Sequence, residues 1–265
     1  MENLIMETPT VYYDRSHIEF LQKLWGDGYL SPGGPEEVER ILEDVILSNA
    51  TVLDIGCGSG GITVSLVNKY GAKKVTGIDV ETDVCEVALE RVKKLNLQEF
   101  IDIVEVKPGN FPYGDESFDV VFSKDSIVHI EKKEQLAKEI FRVLKPGGYF
   151  VGSDWLRSSD DAPSPEMLRY LKLEDLGFEM ASPKRYRNAL TTAGFENIHL
   201  LNRNKWYTEQ AKQEVFKLSK LMRQEFEDIS SEQYMDTTIK TWNAMITVLE
   251  TGEHCPHHIK CEKPN

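Results

Sequence analysis

The strongest constraint on this chain is VLDIGCGSGG, residues 52–61, where an apolar run breaks into a glycine-rich turn and a helical pattern follows at once. Gly56, Gly58 and Gly60 remove side chains where the backbone must turn tightly and where a ligand can lie against it. Taken alone, such a turn serves dinucleotide, flavin and other nucleoside sites equally well. The segments around it repeat the same alternation. TVLDIG, VTGID, IDIVEV, FDVVFS and GYFVGSDW read as short buried strands, while GITVSLVNKY, DVCEVALERVKKL and KEQLAKEIFRVL carry apolar residues at helical spacing. Strand and helix in strict alternation predict a doubly wound α/β fold on a mostly parallel sheet.

Beyond this series, KPGG stops the helix that begins at Lys133 and feeds the fifth strand. A helical stretch PSPEMLRYLKLEDL follows, then a helix opened by Ser182 with Pro183 in its first turn, then a strand FENIHLL. Two helical patterns between residues 206 and 250 precede a last strand near HHIKCEK, so that segment is expected to cap a cleft. With no linker composition or repeat, the 265 residues are expected to form one domain. Its parts are N-terminal lid helices (1–47), a ligand-binding core (48–155), the second half of the sheet (156–205), the cap insert (206–250) and the last strand (251–265).

A net charge of -13 and a pI near 5.0 leave no basic face for nucleic acid. No stretch approaches the roughly 18 apolar residues of a spanning helix, so membrane insertion is not expected. Four scattered cysteines and an N-terminus without a leader pattern predict a reduced, cytoplasmic setting. The segment HCPHHIKC gathers His254, Cys255, His257, His258 and Cys261, but it lacks paired CxxC spacing and would lie on a strand, so no metal is expected.

Asp79, at the end of the second strand in GIDV, stands where a carboxylate can bridge both hydroxyls of a ribose. Together, VLDIGCGSGG, GIDV, SFDVVFS and RVLKPGG resemble the class I S-adenosylmethionine-dependent methyltransferases over about residues 48–155. The resemblance implies a seven-stranded Rossmann-like sheet and S-adenosyl-L-methionine as cofactor. It would place Asp54 at the cofactor's amino group, Gly56 and Gly58 along its methionine backbone, and Asp79 with Val80 at its ribose.

The flanks YYDRSHIEFLQKLWGDGYLSPGG and FSKDSIVHI look like the phosphoethanolamine N-methyltransferases. That resemblance puts Tyr13 and His129 on a catalytic tyrosine and histidine that hydrogen-bond to one another. It makes Asp125 a substrate-facing acid, Lys124, Leu30 and Ser31 cofactor contacts, and Trp155 an aromatic wall replacing a tyrosine. Leu176, Phe178 and Met245 stand where the group carries an arginine, a tyrosine and a lysine around phosphate, so phosphoethanolamine itself is expected to be a poor acceptor. Arg157, Lys172 or Arg185 would be the cations available for a carboxylate instead.

An amine with a pKa of about 9 to 10 arrives protonated and must lose a proton before attack, a task suited to His129. The expected activity is therefore methyl transfer to the nitrogen of a small amine or phosphobase-like compound. S-methylation of a small thioether and C- or O-methylation of a larger metabolite are the alternatives. The expected partner is a small-molecule acceptor, and the expected state a monomer or weak homodimer.

Overall fold

The structure is a computed structural model, and it describes residues 13–221, 223–227 and 230–265. Residues 1–12 of the expected lid lie outside the described residues. Helix α1 (Arg15–Trp25) starts where the Asp14 side chain accepts from the backbone N–H of His17. Ile18, Leu21 and Leu24 place an apolar stripe on its inner face, and Gly26 at φ 108° ends it. Helix α2 (Gly34–Ile41) follows.

The core then alternates as expected: β1 (Thr51–Ile55), α3 (Gly61–Asn68), β2 (Lys74–Asp79), α4 (Thr82–Lys94), β3 (Ile101–Glu105), β4 (Phe118–Lys124), α5 (Lys133–Val143) and β5 (Leu144–Asp154). Next come α6 (Pro165–Glu174), α7 (Pro183–Ala193) and β6 (Glu196–Asn202). The segment before the last strand folds as α8 (Asn204–Phe216), a π-helical turn Lys217–Leu221, α9 (Arg223–Glu227) and α10 (Glu232–Glu250), and the chain ends on β7 (His257–Glu262).

The seven strands form one sheet in the order β3-β2-β1-β4-β5-β7-β6. Strands β3 to β5 pair in parallel, while β7 runs antiparallel between β5 and β6. Because the parallel strands are covered on both sides, β1 and β4 read as almost unbroken apolar runs. One packed cluster around Leu53, Ile140 and Phe150 covers one face of the sheet, and another around Val38, Val75 and Phe122 covers the other.

Strand order reverses between β1 and β4, which opens a crevice at their C-terminal ends, where ligands of such sheets bind. A third cluster, from α1, α6, α8 and α10 with Phe20, Tyr170, Tyr207 and Val248, roofs that crevice.

KPGG departs from the sequence reading by lying inside β5, not ahead of it. Leu144 already pairs with Phe118, and the register jumps to Tyr149 opposite Val120, with Gly147 at φ 73° absorbing the excess residues as a bulge.

Candidate active site

The glycine turn after β1 is closed by two N–H donors, Gly56 and Cys57, that both reach the carbonyl of Ile78, at 2.8 and 3.0 Å. Gly56 has φ 68°, and a Cβ there would lie 2.2 Å from Ser126 Oγ, so the position admits no side chain. Across the turn, Asp79 Oδ2 accepts from Gly58 N at 3.0 Å, while Oδ1 accepts from Val80 N at 2.8 Å and Glu81 N at 3.2 Å. Burial pushes the Asp79 carboxyl upward and these backbone donors oppose it. Val80 is half exposed at the open end of β2.

Asp54 sits beneath the turn, 1% exposed, and accepts from the Thr63 hydroxyl in the first turn of α3 at 2.6 Å. Burial raises its carboxyl to about 7. A cradle without side chains, ending on a carboxylate, fits a ribose with a small zwitterionic tail.

The N-terminal segment clamps onto this turn. Gly28 O accepts from Gly61 N, and the Arg91 guanidinium reaches Asp27 twice (2.6 and 2.8 Å), Gln22 Oε1 and the Ser59 carbonyl. Leu30 is thereby set against Gly58, where an added Cβ would meet its methyl at 3.3 Å.

Lys124 ends β4 and holds the next residues down. Its Nζ donates to Ser31 Oγ at 2.6 Å, to the Pro32 carbonyl at 2.8 Å and to Asp125 Oδ2 at 2.7 Å. All three protons are used, so Lys124, expected beside the cofactor, acts here as a strut between lid and sheet instead of a free ammonium.

Above the crevice lies a cavity of about 570 Å³ lined by Tyr13, Leu30, Ser31, Asp125, His129 and Trp155, so six of the residues singled out in the sequence meet in one space. Gly56, Gly58, Asp54 and Asp79 lie outside its lining, below it at the strand ends. Burial, then the carboxylates of Glu174, Asp79 and Glu81, raise the Tyr13 phenol above its ordinary range. Its hydroxyl has no hydrogen-bond partner among the described residues, and the ring stacks on His17 with centroids 5.2 Å apart. The expected Tyr13–His129 hydrogen bond is therefore not made in this structure.

His129 closes a short 3-10 turn (Ile127–His129) after β4. Burial lowers its pKa, while the carbonyls of Leu176 and Gly177, against which the ring lies, favour the protonated form. The N-cap of α5, Lys132, carries no side-chain bond of its own.

Asp125, at φ 55°, directs its carboxylate into a buried network. Oδ1 accepts from Ser153 Oγ at 2.7 Å, and the Tyr207 hydroxyl reaches both oxygens. Burial alone would raise this carboxyl, but Lys124 and the hydroxyls bring it below the usual range. Trp155, 8% exposed, meets Phe178 edge-on at 5.6 Å, and the two rings wall one side of the cavity.

Of the three positions aligned with the phosphate clamp, Leu176 and Phe178 do line the cavity, whereas Met245 packs in the apolar cluster behind it. The other proposed anion binders lie elsewhere: Arg185 pairs with Glu134, Arg157 binds the Asp161 carbonyl, and Lys172 is exposed away from the lining. The histidines near the C-terminus have separate partners. His254 meets the Leu156 carbonyl, His257 that of Cys255, and His258 the buried Glu37 carboxylate.

Three acids and tyrosines of the site carried no sequence signal. Tyr207 reaches Asp125 from α8. Glu214 accepts from the indole N–H of Trp25 and of Trp242, each at 2.8 Å, and so joins the lid helix to α10. Glu174 ends α6, lines the cavity, and has no hydrogen-bond partner among the described residues; burial pushes its carboxyl up to about 7.

A methyltransferase domain family matches residues 53–152 of this chain. Over 244 residues, 92% of this chain and 47% of the relative, the chain is 31% identical to phosphoethanolamine N-methyltransferase 1 of Zea mays. It is 29% identical to the sarcosine/dimethylglycine N-methyltransferase of Halorhodospira halochloris over 211 residues, 73% of this chain and 74% of the relative. The chain spans about half the length of the plant relatives it matches. The structure of Haemonchus contortus phosphoethanolamine N-methyltransferase 2, in complex with phosphomonomethylethanolamine and S-adenosylhomocysteine, shares the fold with a TM-score of 0.88 over 97% of this chain and 59% of that one, at 24% identity. With the glycine turn, the strand-end acid and the sheet order all in place, the chain carries a methyltransferase domain over residues 53–152.

Proposed function

We propose that this protein N-methylates a small amine with S-adenosyl-L-methionine. The observation that carries the reading is the convergence of Tyr13 and His129 on one cavity whose wall, through Leu30, touches the glycine turn. When bound, S-adenosylmethionine supplies a methyl group on a sulfonium, ready to pass to a nucleophile in line with the carbon–sulfur bond. Asp79 and Val80 would hold its ribose, Gly56 and Gly58 its backbone, and Leu30 and Ser31 its flank. Asp54 would reach its amino group directly or act by fixing α3 through Thr63.

The chain's own task is to align the acceptor, exclude water and remove a proton. An amine enters as ammonium. His129, whose burial favours the neutral ring, is placed to take that proton, and Tyr13 to orient the nitrogen. Asp125 acts on the acceptor through the Lys124–Tyr207 network that fixes the cavity floor. Incubating the protein with S-adenosylmethionine and a panel of amines, then following S-adenosylhomocysteine release, tests the reading. Release that depends on the amine supports it, and release with thioethers or carbon acceptors alone overturns it.

A further inference from the structure

Charge distribution around the cavity bears on which amines it takes. Its lining contains no lysine or arginine among the described residues, and residues 1–12, 222, 228 and 229 contain neither type. Lys124, just below the floor, spends its donors on Ser31, Pro32 and Asp125. Two helix N-termini open on the space, those of α1 and α10, yet each is already capped from within, by Asp14 and by Ser231. Of the acids at the lining, Asp125 is paired with Lys124, and Asp14 is spent as a cap.

Glu174 differs from both. It sits at the C-terminal end of α6, where the aligned carbonyls already concentrate negative potential, and Asp175 follows it at the same helix end. Trp155, Phe178, Tyr234 and Trp242 supply aromatic faces around the same space. A phosphate or carboxylate placed there would meet a carboxylate, a helix C-terminus and no lysine or arginine among the described lining residues; the lining's imidazoles are His17 and His129, and burial favours the neutral form of His129. An ammonium would gain a charge-assisted partner that the protein itself does not supply to Glu174.

We propose that Glu174 is the charge-selecting residue of the acceptor site and that the acceptor is a net-cationic amine bearing neither phosphate nor carboxylate. This rests on the N-methyltransferase reading for the chemistry and extends it to the substrate class. The raised carboxyl of Glu174 is in keeping with a group waiting for a counter-ion.

The test is calorimetric binding of 2-aminoethanol, O-phosphoethanolamine and glycine to the full chain saturated with S-adenosylhomocysteine, with turnover of the same three measured in parallel. The expected result is a dissociation constant for 2-aminoethanol about tenfold or more below those of the two anionic-tailed amines, a gap that Glu174→Gln narrows severalfold. Equal or tighter binding of O-phosphoethanolamine or glycine to the wild type overturns the proposal without reliance on any variant. So does a gap that a folded Glu174→Gln protein leaves unchanged. Preferential binding of 2-aminoethanol without methylation of any amine would sink the N-methyltransferase reading and leave the cation site standing. Methylation of all three without preference would do the reverse.

Discussion

Lys124 and Asp125, adjacent in sequence, form an ion pair at 2.7 Å with both side chains 1% exposed, and the same ammonium pins the lid through Ser31 and Pro32. Removing the lysine would leave a buried carboxylate supported only by the Ser153 and Tyr207 hydroxyls. Lys124→Ala should therefore lose about 3 to 5 kcal/mol of stability, as breaking a buried pair from one side does. Denaturant unfolding reads the loss. A change within experimental error would mean that the pair is not closed in solution.

The Asp79 carboxylate is half-buried and gathers three backbone N–H groups at the end of β2. Asp79→Ala should weaken S-adenosylmethionine binding by about 1.5 to 3 kcal/mol through loss of a charge-assisted bond to the ribose. Calorimetry decides it, and an unaltered dissociation constant in a folded variant would remove the cofactor assignment at this strand end.

Glu214 joins Trp25 and Trp242, and burial, working against those two indole donors, raises its carboxyl from 4.5 to about 7. A folded pKa above the unfolded one means that the native state holds the proton more tightly. Its contribution to stability is complete below about pH 4.5 and disappears as pH rises through about 7. Glu214→Gln should lack this component, so the difference in thermal midpoint between wild type and variant should shift against the wild type across that window. Parallel curves for the two proteins would contradict the raised value.

His129 separates acceptor chemistries. For an amine, His129→Ala should slow turnover by about 10²- to 10⁴-fold, with partial recovery at high pH as the free amine accumulates. A thioether has no proton to lose, so the same substitution would cost only positioning and show no recovery. Wild-type rates in the variant at saturating cofactor would leave His129 no part in the chemistry.

The doubly wound core was legible because parallel strands must be apolar on both faces, which TVLDI and FDVVFS display without ambiguity. The bulge in KPGG was not, since a glycine pair reads equally as a stop or as an excursion within a strand. Within the site, the glycines and Asp79 are legible from a local motif, while Tyr13 and His129 were singled out through the family resemblance of their flanking segments. Tyr207, Glu214 and Glu174 were not, because their roles come from helices brought to the crevice by the tertiary fold. Each reads locally as an ordinary residue of a helix. Lys124 was read as a cofactor contact through the family resemblance, and the sequence does not display the three acceptors, two of them more than 90 residues away, that its ammonium meets.

The most direct measurement is mass analysis of a simple amine, 2-aminoethanol, after incubation with the full chain and methyl-labelled S-adenosylmethionine, with fragmentation to locate the label. The expected result is label on nitrogen, absent without the protein and strongly reduced with His129→Ala. Label on oxygen or carbon, or label only on thioethers when those are supplied in the amine's place, would contradict N-methylation as the function of this site.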